Sequence, residues 1–298
     1  MLPSKNYHEF FMQITIICCL ISISGCASRI PTGKYELLKD SSESLYLNTI
    51  ETYSRIEELQ RRFAITTAPD SKINRDTFKP QVDGESYDLT PELRFREVAL
   101  EVLVKYVDVL HAFSAKDYLI QVDKATQQLG ASLKNLIETS DKLSSSDGSK
   151  AAGIFSALIN KLSQEVVKQK KEKALKQVMD RAQSDIEQLS ELIVSSNTKV
   201  KTAIGIMLDR IIAHANYMRP EYGTIERLHF DMDVAEIIID AEKIELALES
   251  MNKAMLEIPE AHKEIRLDFD RIQPKLESLQ LLIKEVQSVK KFFRELNN

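Results

Sequence analysis

Five histidines, three cysteines and 45 carboxylates are the side chains with which this 298-residue chain could do chemistry. Glu226-x-x-His229 puts an acid and an imidazole three residues apart on one helical face, the spacing with which helical bundles hold bridged metal pairs. Asp108-x-x-His111 repeats the spacing with a shorter acid, and His229 with Asp233, flanking Asp231, offers a cation pair four residues apart. Such sites need their acids in the core. Asp108 instead falls on the polar stripe of its helix, and Phe230 rather than His229 takes the apolar position of the next one. Both sets therefore read as solvated helix faces. His214 and His262 have no partner at ligand spacing and read as surface or boundary histidines. Gly-x-Ser-x-Gly, the Gly-x4-Gly-Lys phosphate loop, Gly-x-Gly-x-x-Gly and His-Glu-x-x-His are absent from the sequence, so the common hydrolase, nucleotide and zinc-protease readings lose their main supports. The chain reads as non-enzymatic, without cofactor or metal.

Lys168, Lys170, Lys171, Lys173 and Lys176 form a dense cationic cluster. Lysines near an anionic bilayer contribute about 1 kcal/mol each, which makes the cluster a candidate contact for lipid headgroups or acidic wall polymers. The chain as a whole is acidic, with 40 Lys+Arg against 45 Asp+Glu. That balance leaves no basic excess to neutralise a phosphate backbone, and nucleic acid is not expected as a partner.

The cysteines all lie at one end. Cys18 and Cys19 sit inside an apolar run from Phe10 to Ser24 and Cys26 follows it, so nothing after Cys26 can form a disulfide within the chain or a Cys-based metal site. A run of about fifteen residues is too short to cross a hydrocarbon core of roughly 30 Å as a helix, but it matches the apolar region of a signal peptide.

Ile23-Ser24-Gly25-Cys26-Ala27 then resembles the lipobox of bacterial lipoproteins: a branched apolar residue, two small residues, and the Cys that is acylated before cleavage. The resemblance covers residues 1–27. It implies a signal peptide over 1–25, a diacylglyceryl group on the Cys26 sulfur, cleavage after Gly25 and acylation of the new amine. Thiol catalysis by Cys26 is then excluded as well. Two departures from the pattern stand out: Lys5 is the one basic side chain before the apolar run, with Glu9 beside it, and Gln13 interrupts the run. Several acyl chains hold a protein firmly, since each buried methylene adds about 0.8 kcal/mol. Ala27 stands where an Asp retains many lipoproteins in the inner membrane. By the same resemblance, the implied address in a two-membrane host is the outer membrane, with the body in the periplasm.

The elements that must position these residues are helical. Without residues 1–25 the chain keeps seven Gly and seven Pro, about 5% against roughly 12% in average proteins, too few for a turn-rich β-fold. Residues 26–40, with Pro31 and Gly33 and no clear period, read as a tether. Leu45, Thr49, Ile56, Leu59 and Phe63 predict a first helix from Ser41 or Ser42 to about Ile65. A long loop over 66–90 holds Pro69, Pro80 and Gly84 and reads as a disordered or surface insertion. Thr90-Pro91-Glu92 opens a second helix with a capping Thr, and its polar residues Arg94, Glu97, Glu101, Lys105 and Asp108 form one thin stripe, which predicts a central place in the bundle. A third helix is expected from about Ala115 to Leu143, before the break Ser144–Ser149. No Gly or Pro occurs over 154–204, so one or two long helices are required there, with Asn197 a candidate break and a subdivision near 196.

The C-terminal third carries a heptad seam, Phe230, Val234, Ile237, Ala241, Ile244, Leu248, Met251, Met255 and Ile258. Pro259 reads as a corner. Ile265, Phe269, Ile272, Leu276, Leu279, Ile283 and Val286 make a second seam that Pro274 should kink, with Val289, Phe293 and Leu296 after a one-residue slip. The fold expected over 41–298 is an all-α, elongated multi-helix bundle of long antiparallel hairpins, coiled-coil-like at its C-terminal end.

The function expected is that of a membrane-anchored cell-envelope lipoprotein, a non-enzymatic helical scaffold that binds another envelope protein. The alternatives are a carrier of lipid or another apolar ligand, with helix 93–113 lining its cavity, and a helical-bundle metalloenzyme. Cys26→Ser is expected to leave a full-length precursor, whereas the wild-type chain from its host begins at Cys26 and carries acyl mass. Intact-mass spectrometry reads both, and an unmodified Cys26 thiol would refute the anchoring.

Overall fold

Tyr35, Leu38, Ser42, Leu45, Thr49, Thr52, Ile56, Leu59 and Phe63 recur at alternating steps of three and four, and all of them are buried. The computed structural model describes residues 32–67, 81–82, 85–86, 88–140, 153–154, 171–270 and 276–296. In it this stripe forms one helix, α1, over Thr32–Thr67. The segment expected as a tether is thus helical from Thr32 onward; the rest of it, and residues 1–25, lie outside the described residues. Three members of the stripe, Ser42, Thr49 and Thr52, are polar. Two of them need no outside partner, because Thr49 Oγ1 donates to the Leu45 carbonyl and Thr52 Oγ1 to the Asn48 carbonyl, each at 2.8 Å.

Of the loop 66–90, the described part is a two-residue antiparallel ladder, β1 (Gln81–Val82) with β2 (Glu85–Ser86), followed by Asp88 and Leu89. Helix α2 then runs over Thr90–Ala112. Thr90 does not cap it. Its own N–H instead donates to Asp88 Oδ1 at 3.0 Å, and Pro91 stands in the first turn, where its missing N–H costs nothing. The thin polar stripe is as expected: Leu93, Phe95, Val98, Ala99 and almost every other residue between the stripe positions is buried, so α2 is central. Helix α3 covers Tyr118–Ser140, close to the expected limits. The break at 144–149 lies outside the described residues.

Helices α4 (Lys171–Met218, 48 residues) and α5 (Thr224–Leu267, 44 residues) are about 72 Å and 66 Å long. Asn197 does not divide α4. It is fully buried mid-helix, accepts from the Tyr53 hydroxyl at 2.9 Å and donates to Asn252 Oδ1 at 2.9 Å, and so ties α1 to α4 and α5. Pro259 likewise makes no corner. A proline inside a helix costs about 3 kcal/mol, but breaking the helix there would withdraw Ala261, His262 and Ile265, all nearly fully buried, from the core. The turn falls later, at the 3-10 segment Asp268–Asp270. Residues 271–275, with Ile272 and Pro274, lie outside the described residues.

Helix α6 (Glu277–Leu296) returns along α5 and α1. Glu264 caps it by accepting the Ser278 N–H at 3.1 Å and the Leu279 N–H at 3.4 Å. Its buried face is Leu279, Leu282, Val286 and Val289; Leu282 takes the inner place expected for Ile283, which is half-buried. The seam of α5 is buried from Ile237 to Ile258, with Phe230 and Val234 half-buried.

The molecule is therefore an all-α, elongated multi-helix bundle. Sequential helices are antiparallel neighbours: α1 with α2, α2 with α3, α4 with α5, and α5 with α6. Asn197→Ala should lower stability by about 2 kcal/mol in urea denaturation, since it strands the Tyr53 hydroxyl and the Asn252 amide together. Ser195→Ala, on the exposed side of the same turn, should change it by less than about 0.5 kcal/mol.

Candidate functional site

Ion pairs and hydrogen bonds sort the helix termini into two ends. Lys34 pairs with Asp268, the Tyr35 hydroxyl donates to Met179 Sδ at 3.1 Å, Lys176 pairs with Asp270, and Arg266 pairs with both Asp180 and Asp270. The starts of α1 and α4 and the α5–α6 turn thus share one end. The α2–α3 turn joins them, because Lys171 Nζ donates to the Ala115 carbonyl at 2.9 Å and stands 5.1 Å from the Tyr118 ring centre. Thr32 follows Cys26 by six residues, so the chain can place this end at most about 21 Å from Cys26.

The lysine cluster is partly used up in building that end. Lys168 and Lys170 lie outside the described residues. Lys176 is committed to Asp270, and Lys171 holds the α2–α3 turn, where burial lowers its pKa. Lys173 is exposed.

An open cleft of about 240 Å³ lies between α1, α2 and α3, lined by Lys39, Asp108, His111, Gln121, Lys124, Gln128 and three alanines. Asp108 stands 3.3 Å from Lys39 and 3.2 Å from Lys105. Burial pulls the Lys39 pKa down, but Asp108 and Glu43 more than offset it, so the ammonium stays charged. The cleft is lined by charged and amide side chains together with three alanines, whereas the large apolar side chains of α2 are packed directly in the core.

The acid–imidazole pairs proposed for metal are used structurally. Glu226 Oε2 accepts the Gly223 N–H at 2.9 Å and closes the first turn of α5, while His229 is exposed. Asp231 is bidentate with Arg219, at 2.8–3.2 Å, which holds its carboxyl below the usual range. Asp233 is exposed and His214 half-buried. Among the described residues no three His, Cys, Asp or Glu side chains stand close enough together to hold a metal ion.

His262 is not a surface histidine. It is 1% exposed, and its imidazole sits between the Tyr106 hydroxyl, 2.9 Å from Nε2, and Gln183 Oε1, 2.7 Å from Nδ1. Gln183 Nε2 donates to Glu187 at 2.8 Å and to the Pro259 carbonyl at 3.0 Å, so its oxygen faces the ring and Nδ1 carries the proton. Nε2 then accepts from Tyr106. Burial pushes the His262 pKa down to about 3. Every polar position of the ring is used, and the group locks α2, α4 and α5 together. The signal was in the sequence: His262 stands four residues after Ile258 and three before Ile265, in line with the seam. Arg96 was passed over in the same way. It is 3% exposed on the apolar side of α2, and its Nη2 donates to the Ser196 carbonyl of α4 at 3.3 Å.

At the other end α4 and α5 outlast the other described helices. Arg62 reaches Glu236 at 3.7 Å and Asp240 at 3.4 Å shortly before α1 stops at Thr67, and the Leu89 N–H donates to Gln60 Oε1 at 2.7 Å, so α2 begins near the same level. From Asp240 back to Thr224, α5 runs about 24 Å, of which the last five residues of α1 accompany about 8 Å. Arg219–Asp231 and the Tyr222 ring, 4.9 Å from that of Phe230, close the hairpin. Its surface shows Tyr217, Ile225, Leu228 and Met232 at 78, 72, 59 and 61% exposure.

Comparison of the chain with protein-family models, with curated proteins and with solved structures finds no match in any of the three.

The buried imidazole sets an acid limit. The unfolded chain takes up a proton at His262 near pH 6.5, while the folded chain holds the ring neutral down to about pH 3. Stability present above pH 6.5 is therefore lost as pH falls between those values, by up to about 1.4 kcal/mol per pH unit. His262→Gln should flatten that slope in chemical denaturation between pH 6.5 and 4. Parallel pH profiles for variant and wild type would refute the assignment.

Proposed function

We propose that this chain is a membrane-anchored lipoprotein of the bacterial cell envelope, a non-enzymatic helical scaffold held by acyl chains on Cys26 and offering its far end to another envelope protein. One observation carries the reading: the helix that follows the lipobox starts at one end of the bundle, and the longest hairpin turns at the other. Only five residues separate Cys26 from Thr32, after which α1 runs about 54 Å toward the α4–α5 tip. None of the described helices is long and apolar enough to cross a membrane, so attachment through Cys26 is the anchor the reading relies on. Exposed Lys173, at the Thr32 end, supports contact between that end and anionic headgroups. Ala27 supports the outer membrane, with the body in the periplasm. The mechanism is mechanical: lipid holds one end, and rigid paired helices carry the binding surface away from the bilayer.

Energy transfer to acceptor-labelled headgroups tests this directly. In proteoliposomes of the full chain, a donor at position 173 should transfer strongly. A donor at position 217, about 66 Å further along α4, should transfer weakly. Equal transfer from both positions would mean that the bundle lies flat, and would overturn the end-on scaffold.

A further inference from the structure

The projecting part of α5 is apolar on two opposite faces. Phe230, Val234, Ile237 and Ala241 face α4 and the core. Ile225, Leu228, Met232, Ala235 and Ile239 recur at the same alternating steps of three and four, but two residues out of phase, which turns them about 160–200° away. Ile225, Leu228, Met232 and Ile239 are 72, 59, 61 and 48% exposed, and Ala235 is exposed. Scattered apolar residues on a surface are ordinary; five in heptad register on one helix face are the pattern of a helix that packs on two sides.

Charge decides what can cover this face. Between Arg219 and Glu242, Asp and Glu outnumber Arg and Lys seven to two, and Arg219 is spent on Asp231. Glu236, 3.7 Å from Arg62 but with its side chain 64% exposed, flanks the outer seam on one side, and Glu242 takes the seam position after Ile239. A second copy would bring acid against acid, and an anionic bilayer would repel the tip. A helix with matching apolar steps and Lys or Arg beside them would place its cations against Glu236 and Glu242.

We propose that the outer face of α5, from Ile225 to Ile239, is the docking surface for a basic amphipathic helix of another protein, which completes a coiled-coil-like contact on the α4–α5 tip. The face is about 21 Å long and takes a partner helix of some four turns. The proposal rests on the scaffold reading only in supposing that the tip meets another protein, and it does not depend on how the opposite end is anchored.

The test uses the full chain in zwitterionic nanodiscs and two synthetic helices with identical Ile and Leu seams, one flanked by Lys and one by Glu. Fluorescence anisotropy should show the Lys peptide binding at least about tenfold more tightly than the Glu peptide. Hydrogen exchange should show protection confined to residues 211–242. Leu228→Glu with Met232→Glu should weaken the Lys peptide by at least about tenfold and leave helix content and Tm unchanged, because both side chains are exposed. Equal affinity for the two peptides, undiminished binding by the double variant, or protection elsewhere on the bundle would overturn the proposal. So would a dimer of the wild-type chain that the double variant dissolves, since the face would then belong to a second copy. Failure of energy transfer to separate the two ends would overturn the anchoring geometry while leaving these readouts intact.

Discussion

Helices of 36, 48 and 44 residues stay together only if each keeps one face turned toward its neighbours along its whole length, and the alternating three- and four-residue spacing of buried side chains does this. An ideal α-helix drifts about 20° per heptad relative to such a stripe. The contact therefore persists from Tyr35 to Phe63 only if the helices wrap slightly around one another. Burial of each full-sized member contributes roughly 1.5–3 kcal/mol before chain entropy, and everything else in the molecule is hung on these contacts. Helix α2, with one thin wet stripe, is buried among α1, α3 and α4; α3 and α6 close the sides.

Apolar seams alone would tolerate sliding by a heptad, because Leu, Ile and Val present much the same surface every seven residues. Polar contacts in the core oppose this. Tyr53, Asn197 and Asn252 meet at one level, Arg96 and Ser196 close to it, and Tyr106, His262 and Gln183 at another. Each of these groups, shifted by a turn, would be buried without its partner at a cost of about 1–3 kcal/mol. The registry of α1 and α2 against α4 and α5 follows from these few contacts.

The same geometry gives the bundle two unlike ends. The end that begins at Thr32 is closed by a network of Lys34, Asp268, Lys176, Asp270, Arg266 and Asp180, in which positive and negative charges are matched. The far hairpin is acidic and apolar, with charges matched at Arg219–Asp231 and through Arg62.

Residue order and spacing by themselves determined the helical class, the central role of α2 and the pairing of the two C-terminal seams as the α5–α6 hairpin, because each is a local pattern of polarity. They also misplaced features whose outcome depends on what lies opposite. Residues 32–40 looked like a tether because Pro31 and Gly33 lie at their start and polar Ser42 parts Tyr35 and Leu38 from the stripe that follows; Asn197 and Pro259 looked like breaks; His262 looked like a boundary residue. In each case tertiary burial outweighed local preference. A buried hydroxyl can be satisfied by its own helix, a buried amide by two neighbouring helices, and a proline can be carried through a helix whose next turn is locked in the core. Only the folded structure decided that two of the five clustered lysines build the Thr32 end, and that the first turns of α5 leave a second apolar stripe uncovered. Whether a face is covered depends on where the other helices stop, and that is set by packing between segments far apart in the chain.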